Sequence, residues 1–217
     1  MARLEADAAK QIARLKTLND IGRSITAILD VDRILELICD RVSSDLCCDL
    51  SSVMLIEEGE LVMKAARGIP DEVARTVHVR LGEGYAGKVA ETGKSILVTD
   101  GGGPGDAAAP EEQPVSDERA ARYLSRSFAI APIVLDGETI GVINVTNKRS
   151  GGLGFEELEF VETVASYAGV AIENARLHAR AQFLAATDGL TELYNHRYFQ
   201  ERLAEEVERW RRYWVKG

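Results

Sequence analysis

Apolar positions along the chain change period twice, and the two changes divide it into helix, strand and helix. Over residues 1–29, Leu4, Ala8, Gln11, Leu15, Leu18, Gly22, Ile25 and Leu29 alternate steps of four and three, the seam spacing of a coiled coil. Ile12, Ile21 and Ile28 lie beside that seam and widen it, which suits packing on a bundle or a partner helix. Asp30 and Asp32 are placed to cap a second helix, with Ile34, Leu35, Ile38, Val42 and Leu46 on one face.

The period then shortens. Residues 51–57 and 60–67 read as strands joined by the turn Glu58-Gly59, and 127–135 and 138–147 as a second hairpin around Asp136-Gly137. Between them, 76–81 alternates with Val77, Val79 and Leu81 on one side, 84–91 suits a short helix stopped at Thr92-Gly93, and 95–99 is again extended. Residues 101–117, GGGPGDAAAPEEQPVSD, hold three of the five prolines and too little apolar surface to offset the entropy of ordering, so a lid or, preferably, disorder is expected there. From Phe155 the helical period returns: Leu158, Val161, Ala165, Ala168, Ile172, Ala175, Ala179 and Gln182 form a second four-three seam, about 37 Å of helix, with Glu156 and Glu157 in the first turn. A break is expected at 185–189, and 200–213 reads as a last amphipathic helix carrying Trp210 and Trp214. The prediction is an α+β fold: an antiparallel sheet with helices stacked on it and long terminal helices forming a dimer bundle.

Composition refines this picture. Across 217 residues, 46% hydrophobic and 28% charged is an ordinary globular mixture, and a net charge of -9 disfavours nucleic-acid or anionic-membrane partners. No run approaches the length of a membrane span, and residues 1–10 lack the apolar stretch of a secretory signal. Three cysteines, Cys39, Cys47 and Cys48, have no framework or metal-ligand spacing and suit a reducing, cytoplasmic setting as small hydrophobes.

Two motifs look chemical. Gly82-Glu83-Gly84-Tyr85-Ala86-Gly87 fits the G-x-G-x-x-G pattern, but no βαβ unit surrounds it and no acid follows at the required distance, so it reads as a tight turn feeding a helix. Gly151-Gly152-Leu153-Gly154-Phe155-Glu156-Glu157 places Phe ahead of the acids and carries no catalytic weight. No catalytic or metal-binding residue is assigned.

In succession, LGEGYAGKVAETGKSILVT (81–99) and SRSFAIAPIVLDGETIGVINVTNK (125–148) resemble the GAF domain family over roughly Asp30 to Leu177. The resemblance implies a sensor domain with a ligand pocket on one side of the sheet and helices on the other, and a dimer formed through terminal helices. It places Ser52, Ala66, Arg67, Tyr85, Ala86, Glu118, Ser125 and Asn144 toward the pocket, and suggests a tie between Lys148 and Glu159. Members that bind cyclic nucleotides read the base with acids where Arg67 and Asn144 stand, and a cation at 67 disfavours cyclic AMP or GMP. It favours an unidentified small ligand bearing a carboxylate or phosphate, or no ligand at all. The dimer seam expected from the C-terminal helix is Leu158, Val161, Ala165, Ala168, Ile172 and Ala175.

A second resemblance begins at Asp188. DGLTELYNHRYF (188–199) resembles the opening of a GGDEF diguanylate cyclase domain, with Glu192 and His196 departing from its usual Gly and Arg. The cyclase's metal-binding strand and catalytic turn do not follow before Gly217. The organisation this implies is a helix over 1–29, a GAF core over 30–154, a signalling helix over 155–187 and the start of an output domain over 188–217. The expected role is a homodimeric, non-catalytic sensor controlling a cyclase. A dimerisation module with an empty pocket is the first alternative. A reductase of free methionine sulfoxide is the second, opposed by cysteines that lie before the first strand.

Overall fold

The computed structural model describes residues 16–99, 127–149, 151–189, 191 and 193–214. Contacts divide the chain into two compact units, separated between Asn174 and Ala175.

In the first unit, helix α1 covers 16–26 and α2 covers Val31–Asp45. Asp30 caps α2: its carboxylate accepts the amide of Arg33 at 3.0 Å, satisfying one of the free N–H groups of the first turn. Strands β1 (Cys48–Glu57) and β2 (Glu60–Arg67) form the first hairpin. Glu58 and Gly59 both have positive φ, 50° and 85°, the backbone of a two-residue turn whose twist matches that of the strands. After the short helix α3 (Asp71–Ala74) come β3 (His78–Arg80), α4 (Gly84–Thr92) and β4 (Ile96–Val98). The second hairpin, β5 (Phe128–Leu135) and β6 (Glu138–Lys148), turns the same way at Asp136 and Gly137. The glycines of 82–87 are structural: Gly82 has φ 80°, its amide donates to the Gly87 carbonyl at 2.9 Å, and a side chain at Gly87 would collide with the Arg80 carbonyl. Residues 101–117, expected to be a lid or disordered, lie outside the described residues.

The sheet has six antiparallel strands in the order β3-β2-β1-β6-β5-β4. One face meets α2 and the long helix α5 (Phe155–Ala186) and buries Val53, Leu55, Ala131, Ile133, Ile143 and Val145. Ser51 on that face donates to the Cys39 carbonyl at 3.1 Å and shares a 2.8 Å hydrogen bond with Ser43, so both buried hydroxyls are satisfied. The opposite face is covered in part by α4, whose Val89 and Ala90 pack with Met54, Leu61, Ile96, Ile130 and Val142.

α5 begins with the glutamate half of a capping box. The Glu157 carboxylate accepts the Gly154 amide at 2.8 Å and, with its other oxygen, the Lys148 ammonium at 2.6 Å. The tie from Lys148 therefore runs to Glu157, correcting the expected Glu159: the third helical position lies over the last residue of β6, whereas Glu159 is exposed. Burial works to raise the Glu157 pKa, but the bonds from Lys148 and Gly154 outweigh it and hold the carboxyl below its ordinary range.

The expected dimer seam is also corrected. Val161, Ala165, Ala168, Ile172 and Ala175 are buried within a single chain, and Leu158 is half-buried beside them. The four-three spacing belongs to the side of α5 that packs on the core. At Gly169 the helix comes so close to β5 that an added Cβ would lie 2.6 Å from the Val134 carbonyl oxygen.

The second unit holds the end of α5, a turn, and α6 (His196–Trp214). The turn is tightly hydrogen-bonded. Asp188 accepts both the amide and the hydroxyl of Thr191, at 3.0 and 2.9 Å. Asn195 caps α6 by accepting the Tyr198 amide at 2.9 Å, while its NH2 donates to the Ala185 carbonyl at 2.8 Å. One amide thus joins the carbonyl end of α5 to the amide end of α6. α6 begins four residues earlier than its apolar period suggests because Asn195 starts it.

Candidate functional site

Strand register decides which side chains can meet on the α4 side of the sheet. Ser52 on β1 is paired with Ala66 on β2 and with Asn144 on β6; Asn144 is paired with Ile130 on β5, and Ile130 with Ile96 on β4. Paired residues point to the same face, so these five form one row across five strands. Ser52 is buried, and Asn144 donates to its hydroxyl at 3.2 Å. Met54 and Val142 lie two residues further along on the same face. Tyr85 and Ala86, in the first turn of α4, pack against this cluster, and the Tyr85 ring meets Phe128 edge-on at 4.8 Å.

Five of the eight expected pocket positions, Ser52, Ala66, Tyr85, Ala86 and Asn144, are thus brought to one side of the sheet. Arg67 is not. It pairs with Ser51 and so belongs to the helix-packed face, where it donates to Asp40 of α2 at 2.6 Å. Ala66 and Arg67 are neighbours in a strand and cannot share a face, which corrects the expectation. The preference for an anionic ligand rested on that cation and goes with it; of the argument against cyclic nucleotides, the departure at Asn144 is left. Glu118 and Ser125 lie outside the described residues. Met54, Phe128, Ile130 and Val142 were missed, although stepping by two from Ser52 and Asn144 reaches Met54, Val142 and, across the strand pair, Ile130 and Phe128.

The described neighbours of Ser52 and Asn144 in this row are uncharged. Chemically the face offers an apolar bed and one amide–hydroxyl couple, able to trade its internal hydrogen bond for bonds to a guest with a donor–acceptor edge. Among the described residues no group of three or more His, Cys, Asp or Glu gathers to hold a metal, and no helix is long and apolar enough to cross a membrane. The thiols are poorly placed for chemistry. Burial pushes Cys39 up to about 12 and Cys48 up to about 11, leaving almost no thiolate at neutral pH, while Cys47 is exposed at the turn before β1.

In the second unit an open groove of about 490 Å³ lies between the end of α5 and α6, lined by residues including Phe183, Ala186, Arg197, Tyr198 and Glu201. Phe199, Leu203, Val207 and Trp210 of α6 are exposed.

Comparison with known proteins places this architecture. A dual 3′,5′-cyclic-AMP and -GMP phosphodiesterase 11A of Takifugu rubripes is 29% identical over 183 residues, which is 77% of this chain and 19% of the relative. The chain therefore spans about a fifth of that protein. The GAF domain of a phosphoenolpyruvate-protein phosphotransferase from Coxiella burnetii superposes with a TM-score of 0.63 at 24% identity, over 77% of this chain and 96% of that one. The free methionine-R-sulfoxide reductase of Neisseria meningitidis superposes with a TM-score of 0.61 at 19% identity, over 78% of this chain and 93% of that one. At such identities these likenesses speak for the fold. The profile of the GAF domain family itself matches residues 28–173, more than half of the sequence. Sheet order, helix placement and family profile agree, and the chain belongs to the GAF domain family.

Proposed function

We propose that the chain is the sensor module of a signal-transduction protein and passes the state of its sheet face, through α5, to a diguanylate cyclase output domain. It acts as a homodimer and performs no catalysis itself. The observation that carries this reading is the Asn195 bridge, which couples the last carbonyls of a helix rooted in the GAF core to the start of α6. Two further observations support it. The Asp188–Thr191 turn gives a physical role to the residues that resemble the cyclase opening. The exposed apolar line of α6, Phe199, Leu203, Val207 and Trp210, suits a helix that packs within a further domain.

The ligand face favours a compact, mostly apolar molecule with one polar edge, held between Tyr85 and Phe128 on one side and Ser52 and Asn144 on the other. Binding that differs by about 1.4 kcal/mol between two arrangements of α5 shifts their ratio tenfold. The test is a thermal-shift panel of small heteroaromatic compounds, including cyclic nucleotides, on the chain and on Asn144→Leu. A hit that raises the melting temperature of the native chain and not of the variant is expected. Stabilisation that is indifferent to Asn144 refutes this site.

A dimerisation module with no ligand is the second reading, favoured by the Ser52–Asn144 hydrogen bond, which satisfies both groups without a guest. A methionine sulfoxide reductase is disfavoured by the buried, poorly ionised Cys39 and Cys48. Thiol-dependent turnover of free methionine sulfoxide by the purified chain restores it.

A further inference from the structure

Two cysteines are adjacent where α2 hands the chain to β1. Cys47 follows the C-cap residue Leu46 in a left-handed conformation, φ 52°, at a position that in most helices belongs to Gly or Asn. Its thiol is exposed, whereas Cys48, the first residue of β1, is buried. Both thiols turn back onto the carbonyl end of α2: the Cys47 Sγ donates to the Ser44 carbonyl at 3.7 Å, and the Cys48 Sγ to the Leu46 carbonyl at 3.6 Å. An accessible sulfur thus has a sheltered one on the very next residue.

The same corner is joined to the start of α5. The Cys47 carbonyl accepts the Arg149 amide at 3.0 Å, Cys48 is paired with Lys148 across β1 and β6, and Lys148 holds Glu157. Glu157 in turn accepts the Gly154 amide, and the Gly154 carbonyl accepts the Leu158 amide at 3.1 Å in the first turn of the helix. A bond between the two sulfurs would close a small ring through the peptide itself. Neighbouring Cα atoms lie about 3.8 Å apart, closer than an ordinary disulfide allows, so that peptide must twist. The Cys47 carbonyl belongs to it and moves with it. Strain of this kind makes a disulfide easy to reduce, which suits a reversible signal rather than a structural staple.

We propose that Cys47 and Cys48 form a reversible oxidation site for hydroperoxides, whose closure to a vicinal disulfide pulls on the β1–β6 pairing and loosens the Lys148–Glu157 cap of α5. The Cys47 thiolate attacks the peroxide, the O–O bond breaks, and water or an alcohol leaves, giving a sulfenic acid. The Cys48 sulfur then attacks that sulfur, the S–O bond breaks, and the hydroxide leaves as water with the Cys48 proton. Together the two thiols lose two electrons and two protons, and one peroxide is reduced. A small thiol reverses the step by exchange. Burial pushes Cys48 up to about 11, so it stays protonated and sheltered until the sulfenic acid forms beside it, and Cys47 reacts first. Ser52 lies four residues further along β1, about 13 Å away, so this input is independent of the ligand face.

Titration of the reduced whole chain with hydrogen peroxide tests it, followed by blocking of the remaining thiols with N-ethylmaleimide and mass mapping of tryptic peptides. Residues 42–64 carry both cysteines in one peptide, and 34–41 carry Cys39 in another. The expected product is a 42–64 peptide that has lost two hydrogens and takes no label, restored by dithiothreitol, with Cys39 still free. Cys48→Ala is expected instead to stop at a Cys47 sulfenic acid that dimedone traps. Hydrogen exchange at the Leu158 amide is expected to quicken on oxidation of the native chain and to stay unchanged in Cys47→Asn, where Asn tolerates the positive φ. A sulfinic acid at Cys47 beside a free Cys48, a disulfide joining 34–41 to 42–64, or one linking two chains overturns the site. A vicinal disulfide that leaves Leu158 exchange unchanged overturns its coupling to α5.

Discussion

Two substitutions one and a half turns apart on α5 separate the roles of its faces. Ile172 is 0% exposed, so Ile172→Ala removes three buried carbons, about 2.4 kcal/mol at about 0.8 kcal/mol per methylene. The incompletely filled cavity adds to this, for a total of about 3–4 kcal/mol. Leu177→Ala removes a side chain that is 57% exposed, and its cost to a single folded chain stays within about 0.5 kcal/mol. Urea unfolding followed by far-ultraviolet circular dichroism, on samples dilute enough to sediment as monomers, is the assay. The Ile172 variant shifts its midpoint strongly at every concentration. The Leu177 variant stays close to the parent, because little apolar surface is lost from the folded chain. Equal costs in dilute solution, or a greater cost at Leu177, would show that the two faces have been exchanged.

Other consequences follow from particular contacts. Glu157→Gln costs about 1–2 kcal/mol at neutral pH, since it weakens the bonds from Lys148 and Gly154. Because the folded pKa of Glu157 is depressed, its contribution is present above the unfolded carboxyl pKa and disappears as pH falls through the folded one, so native and variant stability curves converge in acid. Iodoacetamide at neutral pH labels Cys47 quickly and leaves Cys39 and Cys48 untouched until the chain is denatured; three rapid labels on the native protein contradict the buried placement. Gly169→Ala destabilises by about 1–3 kcal/mol despite a better helix former, because the Val134 carbonyl that the new methyl meets is backbone; a neutral or stabilising result means α5 is free to lift from β5.

What could be read from the sequence follows what local chemistry specifies. Both hairpins were legible because Glu58-Gly59 and Asp136-Gly137 leave few alternatives to a two-residue turn, and α2 because Asp30 caps a clear apolar face. The glycines of 82–87 read correctly as a turn because no phosphate-binding unit surrounds them. The period of α5 was legible but not what covers it: Val161, Ala168 and Ile172 are spaced identically whether they meet a sheet or a second helix. Arg67 was misplaced because a motif names positions, whereas a strand permits only every second one to face a ligand. Lys148 found Glu157 and not Glu159 because the capping box brings the third helical residue back over the start of its own helix.

The central claim is that two copies of this GAF module lie side by side and that a small molecule on the sheet face biases how they pair. Native mass spectrometry of the purified chain at graded concentrations addresses it most directly, reporting stoichiometry and any retained ligand together. The account predicts the mass of two chains, with any retained small molecule lost on Asn144→Leu. Single chains throughout, or a retained ligand indifferent to Asn144, would contradict it.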